Sequence, residues 1–138
     1  MIKNLVFDFG GVIVDFEFSR ALAAFERVGL KNPTEYLDSF HQRGFFMELE
    51  SGRIGADAFV RRLSECAERE VSYAEAREAW LGFFLMPVPP ERLACLEELR
   101  RDYRLYVLSN TNPFVMDWAR SSEFSPAGKP LDAYFDKL

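Results

Sequence analysis

Two short apolar runs, at residues 2–7 and 104–108, lie far apart in this chain, and what separates them carries helical rather than alternating periodicity. Runs rich in β-branched and aromatic residues suit strands buried on both faces, the habit of parallel sheets, and parallel strands need a long crossover between them. The pattern therefore predicts an α/β fold in which a long helical excursion separates the first strand from the second. Each run ends in polar residues. The first delivers Asp8 into Phe9-Gly10-Gly11, and the second runs into Ser109-Asn110-Thr111-Asn112-Pro113. Ligands of open α/β sheets gather beyond the carboxyl ends of the strands, so both endings are candidate chemistry. The two glycines allow a close backbone approach to a ligand.

The intervening stretch reads as a small helical bundle. Phe18, Ala21, Leu22, Phe25 and Val28 follow helical spacing up to Gly29, and Asn32-Pro33 predicts a short helix through Phe40. A third helix is expected over residues 45–50, ending at Ser51-Gly52, and a fourth carries Phe59, Leu63, Cys66 and Ala67. Ser72-Tyr73-Ala74-Glu75 has the form of a capping box that opens a fifth helix with the stripe Tyr73, Ala76, Trp80, Phe83 and Phe84. Met86-Pro87-Val88-Pro89-Pro90 cannot continue a helix and reads as a return linker. Beyond it, Leu93, Leu96, Leu99 and Tyr103 mark an amphipathic helix, with Glu97 and Arg101 as a surface pair. A further helix follows from Pro113 to about Ser121, and residues 134–138 could enter a third strand.

An apolar fraction of 49% in 138 residues is ample for a packed interior, while a net charge of −5 leaves no basic footprint for nucleic acid or an anionic membrane. An anionic substrate would then need a locally positive site, most simply a divalent cation. Asp8 breaks the N-terminal apolar run before it reaches signal-peptide length, and nothing approaches a membrane span, so a cytoplasmic address is expected by default. Cys66 and Cys95 belong to no CxxC and are read as buried, reduced thiols, and His41 as a surface or packing residue.

A strand-end Asp8 in DFGGVIVD, an all-helical insertion and a second strand ending in Leu108-Ser109-Asn110-Thr111-Asn112 together resemble the haloacid dehalogenase (HAD) superfamily. More narrowly, the chain is similar to a phosphatase group with Gly two residues after the nucleophile, which includes the bacterial sugar-1-phosphate phosphatases. Glu48-Leu49-Glu50-Ser51-Gly52-Arg53-Ile54 is similar to a recurring segment of the family's cap. The resemblance implies an incomplete Rossmann-like core from residues 1–14 and 88–138, with an inserted helical cap at 15–87. It implies that Asp8 attacks phosphorus to give an aspartyl-phosphate, and that Mg²⁺ is held by the Asp8 side chain and the Gly10 carbonyl. Ser109 and Asn110 match the second motif, which holds the phosphate of a small phosphorylated metabolite. Asn112, before Pro113, reads as a helix cap rather than a substrate contact.

Gly10 departs from many superfamily phosphatases, which have there a second Asp that protonates the leaving alcohol, a role worth roughly 10² to 10⁴ in rate. A weakly basic leaving group tolerates the loss, which points to a sugar 1-phosphate or a similarly activated ester. Asp15 is the obvious substitute acid but reads as a cap or structural acceptor. The third-motif Lys and the fourth-motif acidic pair lie beyond residue 138 in the family's usual order. Lys129-Pro130 imitates the former but precedes Tyr134-Phe135-Asp136, so it reads as loop. From this a C-terminal truncation is expected, and with it weak Mg²⁺ binding and little turnover by the isolated chain. Two other readings remain open: a metal-independent haloacid dehalogenase with Asp8 as nucleophile, and a noncatalytic binding module of the same fold.

Overall fold

A computed structural model describes residues 1–38 and 41–138, and within it the chain divides into two compact units. The first comprises Met1–Phe16, Phe84–Asn110 and Met116–Leu138; the second comprises Glu17–Phe83 and Thr111–Val115.

The first unit is built on two parallel strands, β1 (Asn4–Phe7) and β2 (Arg104–Val107), in the register Asn4↔Arg104 through Phe7↔Val107. Leu108 N–H donates to the Phe7 carbonyl at 2.9 Å and carries the ladder one residue further. On the other side of β2, Lys137 makes an isolated parallel bridge to Tyr106, and Asp136 N–H donates to the Leu105 carbonyl at 2.8 Å. The third strand expected at 134–138 is reduced to that bridge.

The strands are less buried than their sequence predicts. Leu105 is fully covered, but Val6 is 63% exposed and Leu108 77%, in a described sheet of two strands. The unit's aromatic core lies instead around Phe9, whose ring centre is 5.7 Å from Phe84 and 6.3 Å from both Trp118 and Phe124. Helix α5 (Pro90–Leu99) turns Leu93 and Leu96 inward. Cys95, expected to be buried, falls on the opposite side of that helix and is exposed. Arg101 lies past the end of α5, and Glu97 pairs with Lys129 at 3.1 Å rather than with Arg101 as expected. The linker contains a cis Met86–Pro87 peptide.

The second unit is helical: α1 (Phe18–Val28), α2 (Gly44–Glu50), α3 (Ala56–Ala67) and α4 (Tyr73–Leu81). Gly29 ends α1 with φ 115, a left-handed conformation that favours glycine. The capping box opens α4 as its sequence predicts: Glu75 N–H donates to Ser72 Oγ at 3.1 Å, and Ser72 N–H to Glu75 Oε2 at 2.9 Å. The core is a cluster of rings in which Phe46 is fully buried, its centre 4.9 Å from Phe25, 4.8 Å from Phe45, 4.9 Å from Phe59 and 5.4 Å from Trp80.

Two expectations in this unit need correction. The helix predicted from Asn32-Pro33 is only a 3₁₀ turn over Pro33–Glu35; Asn32 itself is left-handed (φ 52) and makes no capping hydrogen bond, so nothing props the helix open. The Phe40 end of that prediction lies outside the described residues. Cys66 is half-buried rather than buried, with its sulfur 3.8 Å from the Tyr36 hydroxyl, an interaction that raises the tyrosine's pKa.

Helix α6 (Pro113–Ala119) follows the second polar ending, and among the described residues no helix is long and apolar enough to cross a membrane.

Candidate active site

Apolar anchoring shapes the loop after β1. Phe9, Ile13 and Val14 are buried, and the Phe9 carbonyl gathers the N–H groups of Val12, Ile13 and Val14 at 3.2, 2.9 and 3.3 Å. Gly11 N–H donates to the Val14 carbonyl at 2.7 Å, which closes a tight turn with Gly11 at φ 80, a value that strains any residue with a Cβ. With its neighbours turned inward, Asp8 is left exposed at the strand end. Its Oδ1 accepts the Phe9 N–H at 2.7 Å.

The second ending lies beside the first. Because Phe7 is in register with Val107 and adjacent strands run about 4.8 Å apart, Asp8 and the Leu108-Ser109-Asn110 segment leave the sheet as neighbours. Ser109 is half-buried and donates its hydroxyl to the Asn110 carbonyl at 3.3 Å, a long and weak bond that a better acceptor would displace; Asn110 is exposed. Asp8, Gly10, Ser109 and Asn110 all belong to the first unit and to one end of its sheet. Backbone and hydroxyl donors at such a strand end suit an anion, and a carboxylate among them suits attack on an electrophile.

Asn112 is a cap: its Oδ1 accepts the N–H groups of Phe114 and Val115 at 3.0 and 3.1 Å. Asp15 is taken as well, since Arg92 holds it through two bonds of 2.9 and 3.2 Å, so it is a structural acceptor rather than a spare acid. Lys129 lies in an exposed loop on the Glu97 carboxylate, and Glu97 raises its pKa.

Two features gave no sequence signal. The Thr111 hydroxyl is buried with no hydrogen-bond partner among the described residues. The Phe16 ring lies over Gly10 and Gly11, 3.3 Å and 3.4 Å from where their Cβ atoms would stand. An unpaired hydroxyl and a ring packed on a glycine are tertiary facts that residue order does not encode.

As for a cation, the Asp8 carboxylate and the Gly10 carbonyl are hard oxygen donors. They suit Mg²⁺, which takes one or two carboxylates and completes its shell with water and substrate phosphate, and they lack the sulfur and nitrogen donors that zinc favours. The described residues contain no group of three or more His, Cys, Asp or Glu side chains able to hold a metal.

No protein-family model matches the chain. All of it aligns at 51% identity with a D-ribitol-5-phosphate phosphatase from Bacteroides thetaiotaomicron, and it spans 66% of that relative's length. Among solved structures, a predicted HAD-like family hydrolase from Porphyromonas gingivalis superposes with a TM-score of 0.90 at 41% identity, over 99% of this chain and 65% of the other. A HAD family enzyme from B. thetaiotaomicron, crystallised as an aspartate-to-alanine mutant in complex with magnesium and inorganic phosphate, gives 0.88 at 30% identity, over 99% of this chain and 67% of the other. With a strand-end Asp8 set beside Ser109 and a fold shared along nearly its whole length, the chain belongs to the haloacid dehalogenase family.

Proposed function

We propose that the protein carrying this chain is a Mg²⁺-assisted phosphatase for a small sugar or polyol phosphate. The observation that carries this reading is the adjacency of Asp8 and the Ser109-Asn110 turn across one parallel ladder, which supports a nucleophile and an anion holder working side by side. The 51%-identical D-ribitol-5-phosphate phosphatase supports the substrate class, and the magnesium and phosphate complex of the structural relative supports the cofactor.

In this reading the Asp8 carboxylate attacks phosphorus and forms an aspartyl-phosphate, which water then hydrolyses. Ser109 Oγ and the neighbouring amides bind the phosphoryl oxygens in line with the attack. Asp8 and the Gly10 carbonyl would hold Mg²⁺, which when bound neutralises the charge between carboxylate and phosphate dianion. Residues 1–14 and 88–138 serve as the core and the helical residues 15–87 as the family's inserted cap. The absence of an acid at Gly10 favours an ester with a good leaving group, such as a sugar 1-phosphate, whereas the relative's name points to a primary polyol ester.

The test is phosphate release from D-ribitol-5-phosphate and from a sugar 1-phosphate, with Mg²⁺ and with a chelator, by the protein and by Asp8→Asn. Mg²⁺-dependent release that Asp8→Asn abolishes is expected. Release that survives chelation or the Asp8→Asn substitution, or halide release from a small haloacid without metal, would overturn the proposal. So would the absence of release from both esters.

A further inference from the structure

We propose that Phe16 is the residue that keeps position 10 a glycine, and that its ring thereby keeps a side-chain acid away from the substrate's leaving group. The second half of this rests on the phosphatase reading above. The backbone at Gly10 does not require glycine, since it is not among the glycines with positive φ. The constraint comes from the ring, because a Cβ at Gly10 would stand 3.3 Å from Phe16 Cδ1 and 3.6 Å from Cε1, so that the ring would have to shift by a few tenths of an ångström to admit it. A Cβ at Gly11 would meet the same ring at 3.4 and 4.0 Å, so one aromatic covers both glycines of the turn that follows Asp8.

The ring is held in place through its backbone. Phe16 makes an antiparallel bridge to Phe84, and the Asp15 carbonyl next to it accepts the Leu85 N–H at 2.8 Å. The Asp15 side chain is in turn gripped by Arg92. Half of the Phe16 surface nevertheless stays open.

A carboxylate at position 10 and the Phe16 ring compete for one space. While the ring holds it, no side-chain acid stands there. As the bond from Asp8 oxygen to phosphorus forms, the bond from phosphorus to the leaving oxygen breaks. The leaving oxygen keeps the electron pair and takes its proton from water. The rate then depends steeply on the basicity of the leaving group.

The experiment is a two-by-two set: wild type, Gly10→Asp, Phe16→Ala and the double variant. Each is assayed for phosphate release from p-nitrophenyl, phenyl and alkyl phosphates. Wild type and Phe16→Ala should both lose rate steeply from aryl to alkyl ester. The double variant should flatten that dependence, with alkyl-ester hydrolysis rising on the order of 10²-fold relative to Phe16→Ala. Gly10→Asp alone should not flatten it. If Gly10→Asp alone flattens the slope as far as the double variant, or the double variant leaves it steep, the proposal fails.

Packing is read separately, without activity, by the thermal midpoint of Gly10→Ala. The substitution should lower it in wild type and leave it unchanged in the Phe16→Ala background; equal losses in both backgrounds would overturn the claim that the ring enforces glycine. If no variant releases phosphate, the phosphatase reading fails while the melting cycle still decides the packing claim.

Discussion

Arg92 holds Asp15 with two parallel bonds, Nη1 to Oδ1 at 2.9 Å and Nη2 to Oδ2 at 3.2 Å. The pair joins the first turn of α5 to the loop that follows β1, across 77 residues of chain, and it engages both oxygens of the next carboxylate after Asp8 along the chain. Because both partners are part-exposed, the pair is worth about 0.5–1 kcal/mol. Asp15→Asn should therefore lower stability by that amount in a denaturant titration. It should leave the shape of the pH–rate profile unchanged, whereas the loss of its acid or basic limb would make Asp15 an acid–base group.

Phe46 is fully buried in the helical unit. Removing it in Phe46→Ala deletes a ring that lies against five other described rings, those of Phe25, Tyr36, Phe45, Phe59 and Trp80, and substitutions of this kind cost about 3–5 kcal/mol. The expected result is a thermal transition lost or split in calorimetry, with near-ultraviolet circular dichroism diminished at the aromatic bands. A shift no larger than that of an exposed substitution would contradict the packing described.

Glu75 ties the start of α4 to Arg69. The Arg69 guanidinium, at 2.6 Å, and then the Ser72 N–H hold the Glu75 pKa down to about 2, against a usual 4.5. A carboxylate whose pKa is lower in the folded state stabilises fully above its unfolded pKa. That contribution is lost as pH falls through the window from 4.5 to about 2. Glu75→Gln should flatten the acid limb of the stability curve in that window. Ser72→Ala, which removes the reciprocal cap, should cost about 1 kcal/mol at neutral pH.

Thr111 carries a buried hydroxyl with no hydrogen-bond partner among the described residues. Replacing such a group by an apolar one of the same shape relieves a desolvation cost of about 1–3 kcal/mol. Thr111→Val should therefore melt at the same temperature as wild type or higher. A clear drop in melting temperature would show that the hydroxyl has a partner.

Elements whose signal is local were legible in the sequence. Gly29 stops α1, Ser72 and Glu75 start α4, and the two apolar runs pair as parallel strands, because capping and strand propensity are written within a few residues. The positions of Asp8, Ser109 and Asn110 at one sheet end follow from that pairing. What was misread depends on which neighbours a residue meets. Cys95 looked buried because its helix is apolar, but Leu93 and Leu96 set the inward face and leave Cys95 outside. Glu97 had a suitable partner in Arg101, yet it reaches Lys129, which is distant in sequence. Asn32 looked like a cap, but a left-handed backbone turns it away from that role. Phe16 shows the same limit: no spacing rule says that an aromatic six residues past a glycine will return to lie on it.

The parallel bridge between Tyr106 and Lys137 also fixes a direction. The backbone at residue 138 runs the same way as β2, toward the end of the sheet from which Asp8 and Ser109 emerge. A dye attached at Lys137, which is exposed, would thus stand on the side of the nucleophile, whereas one at the exposed Lys3 would stand at the opposite end of β1. For an inert label position 3 is the quieter site. For a fluorescent reporter of events around Asp8, position 137 is the better place.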